Sequence, residues 1–190
     1  MDIVLRPWNR RDADALWRAA ATSSDLSAQL GDADLSTSAA SADFIDRNLA
    51  PASPQAQHLA IVVDGAAVGN VGLSNIDRRH DTAWVFYWVA AGSRGHGLAS
   101  TCLATLAQWA HRDLGLFRLE LGHRVNNPAS CAVARHAGFL VEGLERQKLR
   151  YGDQRYDVET HARLATDPAP TLGASAIGGV PHRVTLTAPQ

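Results

Sequence analysis

Residues Tyr87 to Ala99 read Y-W-V-A-A-G-S-R-G-H-G-L-A: the end of an apolar strand, a glycine-containing loop and the opening of a helix. Leu98, Cys102, Leu106 and Trp109 recur on one helical stripe, and Leu114-Gly115 closes the pattern. Such a loop is an anion site, because the first N–H groups of a helix have no intrahelical partner and the macrodipole is positive there. Gly95 and Gly97 let a phosphate approach the main chain, and Arg94 offers a charge-assisted bond. The alternative is that the glycines only turn the chain beside a solvated Arg94. A Walker loop would need G-K-[ST] and a Rossmann loop G-x-G-x-x-G, and neither is present.

Upstream, Thr82 to Val89, Ala66 to Ser74 and Leu59 to Val63 alternate with period two, and Asp64-Gly65 is a hairpin signal, so three antiparallel strands form a meander. Ile3 to Pro7 reads as a first strand. Asn9 then caps a helix over Asp12 to Thr22. Residues 23–56, rich in Ser, Ala and Asp, hold a weak helical stretch at Ala42 to Leu49 and read as a variable, partly mobile cover. Downstream come a strand at Arg118 to His123, a short helix at Pro128 to Ala137 and two strands around Tyr151-Gly152-Asp153. The order βα, meander, α, β, α, β, β makes residues 1–166 a single α/β domain with a mixed sheet. Residues 167–190 form a Pro, Gly and Ala-rich tail with a short strand at Arg183 to Leu186, expected to dock on its own domain or a neighbour and compatible with a homodimer.

The chain of 190 residues carries 18 basic and 19 acidic side chains, a net charge of −1, which argues against nonspecific nucleic-acid binding. At 46% hydrophobic residues it supports one folded core. No apolar run is long enough to cross a bilayer, and the N-terminus lacks the order of a secretory signal, so a cytoplasmic location is the expectation. Cys102 and Cys131 read as core thiols, and no CxxC or HExxH spacing offers a metal site.

The loop resembles the acetyl-CoA diphosphate loop of the GNAT superfamily of N-acetyltransferases, whose signature is [RQ]-x-x-G-x-[GA], with Arg94, Gly97 and Ala99 at the fixed positions. Asn127-Pro128-Ala129-Ser130 and His136-Ala137-Gly138-Phe139 resemble the N-x-x-S and K-x-G-F stretches of the RimJ/RimL-like branch, which acetylates ribosomal-protein N-termini; His136 departs from the lysine of that pattern. Leu5-Arg6-Pro7-Trp8 and Tyr156-Asp157-Val158-Glu159 look like that branch too, so the resemblance covers roughly residues 2–166.

The resemblance implies a mostly antiparallel sheet splayed between its fourth and fifth strands. The backbone groups of Trp88 and Val89 would hold the pantetheine arm, and the amides of Arg94, Gly95, His96, Gly97, Leu98 and Ala99 the diphosphate. Asn127 has two compatible roles, capping the helix that starts at Pro128 and bonding the cofactor arm. Ser130 either serves its own helix terminus or places its hydroxyl near the thioester sulfur, where a donor stabilises the departing thiolate. Histone-type members carry a glutamate on the fourth strand; Trp84-Val85-Phe86-Tyr87 has none. Glu120 is the candidate base or water-orienting group, against a salt-bridged strand residue, with His123 and Tyr151 behind it. Family members attack directly with the amine, so Cys131 is not expected to be a nucleophile. An α-amine near pKa 8 is far more often neutral than a lysine near 10.4, so a site without a strong base suits a protein or peptide N-terminus. A small amine, such as an antibiotic or polyamine, is the other acceptor class, and a non-catalytic acyl-CoA sensor is the reading outside enzymes.

Overall fold

Period-two patterning places Ile3, Leu5, Leu59, Ile61, Val71, Leu73 and Val85 on one buried sheet face, and the stripe Leu98, Cys102, Leu103, Leu106 and Ala110 closes over it. The computed structural model describes residues 1–31, 33–51, 53–170 and 183–189. Its strands are β1 (Asp2–Pro7), β2 (Gln57–Val63), β3 (Ala66–Asp77), β4 (Thr82–Val89), β5 (Arg118–Arg124), β6 (Leu140–Tyr151), β7 (Gln154–Leu164) and β8 (Arg183–Leu186). Its helices are α1 (Ala13–Thr22), α2 (Leu26–Leu30), α3 (Ser38–Phe44), α4 (Leu98–Arg112) and α5 (Pro128–His136). One 8-stranded sheet runs in the order β6-β7-β5-β4-β3-β2-β1-β8. Only β4/β5 and β1/β8 are parallel; the other neighbours are antiparallel.

The expected meander is present, and Asp64 (φ 46°) and Gly65 (φ 88°) form its first turn, both in the left-handed region that such tight hairpins require. Asn9 caps the turn Arg10–Asp12 rather than α1 directly: its Oδ1 accepts from Arg11 N at 2.9 Å, and Asp12 Oδ2 accepts from Asn9 N at 3.1 Å. Arg6 grips Asp12 through both Nη atoms, at 2.7 and 2.8 Å, which fixes the angle between β1 and α1.

The other sheet face has its own layer. Leu16 and Ala19 of α1, Leu26 of α2, Ala42 of α3 and the π turn residues Ile45 and Leu49 bury Trp8, Ala60, Val62 and Trp88. Residues 23–56, expected as a partly mobile cover, therefore contribute fully buried side chains to a second core. Its helix begins earlier than the pattern indicated, at Ser38, because Thr37 Oγ1 caps it by accepting from Ala40 N at 3.1 Å. Trp8 Nε1 donates to Asn70 Oδ1 at 2.8 Å across this layer.

Within the tail, β8 adds to the outer edge of β1, pairing Ile3 with Val184 and Leu5 with Leu186. Both tail residues pack on the core from partly buried positions. Among the described residues no helix is long and apolar enough to cross a membrane.

Gly72 marks the tightest approach in the meander, since a Cβ there would lie 2.5 Å from Gln57 O and 2.6 Å from Phe86 Cζ. Gly72→Ala is expected to cost about 1–3 kcal/mol by overpacking, read as a lowered urea midpoint at unchanged slope. Truncation after Asp167 removes β8 and should lower the melting temperature; an unchanged Tm would mean that Val184 and Leu186 contribute nothing to the fold.

Candidate active site

The strands β4 and β5 pair only through Thr82 with Arg118, Ala83 with Leu119 and Trp84 with Glu120. On their outer sides the ladders continue, β4 with β3 to Val89 and β5 with β7 to Arg124. From Val85 onward, among the described residues, no strand lies beside one edge of β4. The indole of Trp84 sits at the root of this splay: a Cβ on Gly122 of β5 would lie 3.1 Å from Trp84 Cη2 and 2.8 Å from Val158 Cγ1. On the opposite face Tyr87 reaches from β4 to α5, where its hydroxyl donates to Ser130 O at 3.3 Å. Burial raises the Tyr87 pKa, so this phenol stays a donor.

Beyond Val89 the turn Ala91–Ser93 leads into the loop, with Gly95 at φ 79° and Gly97 at φ 67°. Gly97 is the N-cap of α4, and its carbonyl accepts from Thr101 N at 3.1 Å and from the hydroxyls of Ser100 and Thr101, each at 3.0 Å. Among the described residues the N–H groups of Gly95, His96, Gly97, Leu98, Ala99 and Ser100 have no acceptor, which leaves a nest of donors at a helix N-terminus.

Arg94 has a different place from the one expected. Its Nε donates to Val89 O at 2.8 Å and its Nη2 meets Asp25 Oδ1 at 2.9 Å, so the guanidinium holds the loop against the strand end and the α2 segment. Ser23 Oγ accepts from Ala91 N at 2.9 Å on the same side. Trp88 buries its indole in the α1/α3 layer, and its carbonyl faces β3, 2.5 Å from where a Cβ on Gly69 would lie. Of the two expected backbone positions it is therefore Val89 that alternation turns to the open edge, where Arg94 Nε meets its carbonyl. His96 Nδ1 lies 3.3 Å from Ser93 O, within the loop.

Asn127 caps α5 as expected, its Oδ1 accepting from Ser130 N at 3.1 Å, with Pro128 at the first helical position. The Ser130 hydroxyl has no partner among the described residues, and its carbonyl is the atom tied to Tyr87. Glu120 is not brought to Ser130. It lies opposite Trp84, and strand alternation turns it to the Trp84 face, away from the α5 face that Tyr87 and Ser130 share. There its Oε1 binds Arg118 Nε at 2.6 Å, while the rest of that guanidinium binds Glu142, whose carboxyl it holds below the usual carboxylate range. Tyr151 stands at the protein surface, with Arg124 stacked 5.0 Å from its ring centre.

The α5 face holds a group of side chains that sequence reasoning missed. His123 Nε2 lies 2.9 Å from His161 Nε2 and 3.4 Å from Glu159 Oε1, and His161 Nε2 lies 2.9 Å from the same oxygen. Cys131 Sγ donates to Glu159 Oε1 at 3.3 Å. Cys131 is thus a half-buried member of a polar cluster and not the core thiol expected, because α5 turns it toward β7. Cys102 is a core thiol, its pKa pushed to about 12 by burial. The signal for the cluster was Glu159-x-His161, two polar residues on one face of a strand whose next neighbour carries His123 on the same side.

Residues 2–140 match the model of the acetyltransferase (GNAT) domain. The chain is 30% identical over 104 residues to a putative ribosomal N-acetyltransferase, YdaF, of Bacillus subtilis, covering 55% of this chain and 57% of that protein. It is 29% identical over 109 residues to the ribosomal-protein-serine acetyltransferase of Escherichia coli, covering 57% and 61%. The matched stretch thus spans less than two thirds of either relative. Among solved structures, Mycobacterium smegmatis RimJ in complex with CoA-disulfide superposes with a TM-score of 0.72 at 26% identity, over 85% of this chain and 81% of that one. With the splayed sheet and the open amide loop as its structural counterpart, the domain match places this chain in the acetyltransferase (GNAT) family.

Proposed function

We propose that this protein transfers an acetyl group from acetyl-CoA to a primary amine, with the N-terminal α-amine of a protein as acceptor. The observation that carries the reading is the conjunction of two unfilled donor arrays: the loop amides Gly95 to Ser100 and the free β4 edge beyond Trp84. The loop amides lie at an open, partly exposed helix N-terminus, where a phosphate finds donors ready-made, and a ligand that brings amide groups to the second array takes the place of a strand. A CoA thioester has that chemistry and brings an activated acetyl group. RimJ, named in its CoA complex, has the same fold and lends the reading its cofactor.

In this arrangement the Gly95 to Ser100 amides hold the diphosphate, and the open edge of β4 up to Val89 orients the pantetheine arm. Arg94 supports both by tying the loop to Val89 O. Asn127 keeps the first turn of α5 in place, and the free Ser130 O–H points its donor capacity at the departing sulfur. Glu120 is held by Arg118 on the far face, so water takes the amine proton in this reading. An α-amine, already partly neutral near pH 7, can react under those conditions. The acceptor approaches over a depression lined by Val125, Asn126, Gln147, Arg155, Tyr156 and Asp157, which opens where β5 ends and α5 begins. The relatives' names support a ribosomal protein as acceptor.

Mass spectrometry after incubation with acetyl-CoA and a panel of N-terminal peptides and small amines tests the acceptor; a 42 Da gain is the roughly expected mass of one acetyl group, and acetylation of polyamines alone would replace the α-amine reading. Gly97→Val is expected to weaken CoA binding at least about tenfold in calorimetric titration, because a β-branched residue at φ 67° is strained and projects into the donor nest. Unchanged affinity in a folded variant would remove the loop assignment. Ser130→Ala should lower kcat roughly ten- to a hundredfold with little change in CoA affinity, as the loss of one charge-assisted bond acting in the transition state does. Glu120→Gln, which would cost about a hundredfold or more if this carboxylate were the base, is expected to keep most of the activity.

A further inference from the structure

Four donor atoms converge between β5, β7 and α5: His123 Nε2, His161 Nε2, Glu159 Oε1 and Cys131 Sγ all lie within 4.8 Å of one another. We propose that these four residues form a Zn²⁺ site that clamps α5 to the two strands. The distances among them include 2.9 Å between the two imidazoles, 2.9 and 3.4 Å from these to Glu159, and 3.3 Å from Glu159 to Cys131. Tetrahedral zinc, with bonds of about 2.0–2.3 Å, sets its donors roughly 3.3–3.7 Å apart, so the separations of 2.9–3.4 Å need shifts of a few tenths of an ångström and the widest, within 4.8 Å, a side-chain shift of up to about an ångström.

The hydrogen bonds outside the cluster prepare it for a cation. His123 Nδ1 lies 3.1 Å from Arg124 O, and His161 Nδ1 lies 3.4 Å from Phe139 O. A carbonyl only accepts, so the proton of a neutral His123 sits on Nδ1 and its Nε2 presents a lone pair. His161 Nε2, 2.9 Å from that atom and from Glu159 Oε1, is the donor between them until a cation binds and the ring proton is held at Nδ1, facing Phe139 O. A bound metal would thus take the place of the one proton that His161 Nε2 shares with His123 Nε2 and Glu159 Oε1 in a buried setting. Ring orientation by backbone carbonyls is also how metal-binding histidines are fixed. Two imidazoles, a thiol and a carboxylate suit zinc, whereas magnesium and calcium require oxygen donors.

Four protein donors fill a tetrahedral shell, which makes this a structural and not a reactive site. Both imidazoles are buried, while Glu159 retains 26% exposure of its side chain, which gives the ion a way in. Binding forms the Zn–S bond with loss of the Cys131 thiol proton to solvent. Chain spacing could not announce the site, since its ligands come from three elements brought together by the sheet register.

The test uses the full chain, stripped with a chelator and dialysed against Zn²⁺ or Co²⁺ in competition with a chromophoric chelator. One Zn²⁺ per chain is expected, with a raised melting temperature. Co²⁺ should give tetrahedral visible bands and a near-ultraviolet thiolate charge-transfer band. Cys131→Ser should abolish the charge-transfer band, and His161→Gln should weaken metal binding at least about tenfold. His80→Asn, on an exposed turn, should change neither. Far-ultraviolet circular dichroism and CoA titration establish that each variant is folded. Uptake well below one ion per chain, or uptake that both variants retain, would overturn the site and leave a proton shared between the imidazoles as the bond that holds them.

Discussion

The main-chain hydrogen bonds that β4 does not make to β5 are the constraint around which the molecule is arranged. Each strand is committed on its other side, β4 to β3 as far as Val89 and β5 to β7 as far as Arg124, so neither can move to close the gap without breaking a ladder of its own. Trp84 fills the root of the opening above Gly122, where no larger residue fits. The splay is therefore enforced from three directions, and the unpaired edge is available to a ligand in place of a strand.

The loop that follows depends on that edge. Arg94 spends its guanidinium on Val89 O, the last carbonyl of β4, and on Asp25 beside α2. Ser23 supports Ala91 from the same segment. The 23–56 layer is thus more than a cover: its first residues buttress the phosphate loop, and its apolar residues bury Trp88 from the other face. The Arg94 to Asp25 pair is exposed, so its value lies in orientation more than in binding energy.

Most of the fold was legible because local rules agreed with tertiary ones. The period-two run Thr82 to Val89 has the bounds of β4 itself, Asp64-Gly65 makes its turn, and Asn127-Pro128 starts α5. The short strand at Arg183 to Leu186 was legible too, although nothing in its sequence named β1 as its parallel partner. What could not be read were the ends of long side chains. Arg94 satisfies the loop signature as a residue type, but its direction is set by Asp25, 69 positions away in the chain. Glu120 looked available because its charge is visible in the sequence, while the Arg118 fork that holds it also needs Glu142 from β6. Cys131 reads as apolar on a short helix, and only the packing of α5 on β7 shows it a carboxylate.

Strand parity connects these misreadings. On β5, Leu119, Leu121 and His123 are buried on the side of α4 and α5, whereas Arg118, Glu120, Gly122 and Arg124 face the other way. A slip of one residue would exchange the two sets, setting Glu120 beneath α5 and His123 beside Trp84. Such a slip is opposed by two fully apolar leucines that would become exposed and by a glycine that would be replaced under the Trp84 ring, so the hydrophobic core decides which ionisable groups lie on the α5 side of β5. The polar content of the α5 face, two imidazoles, a thiol and the Glu159 carboxylate bound among them, is therefore a consequence of the register that buries Leu119 and Leu121.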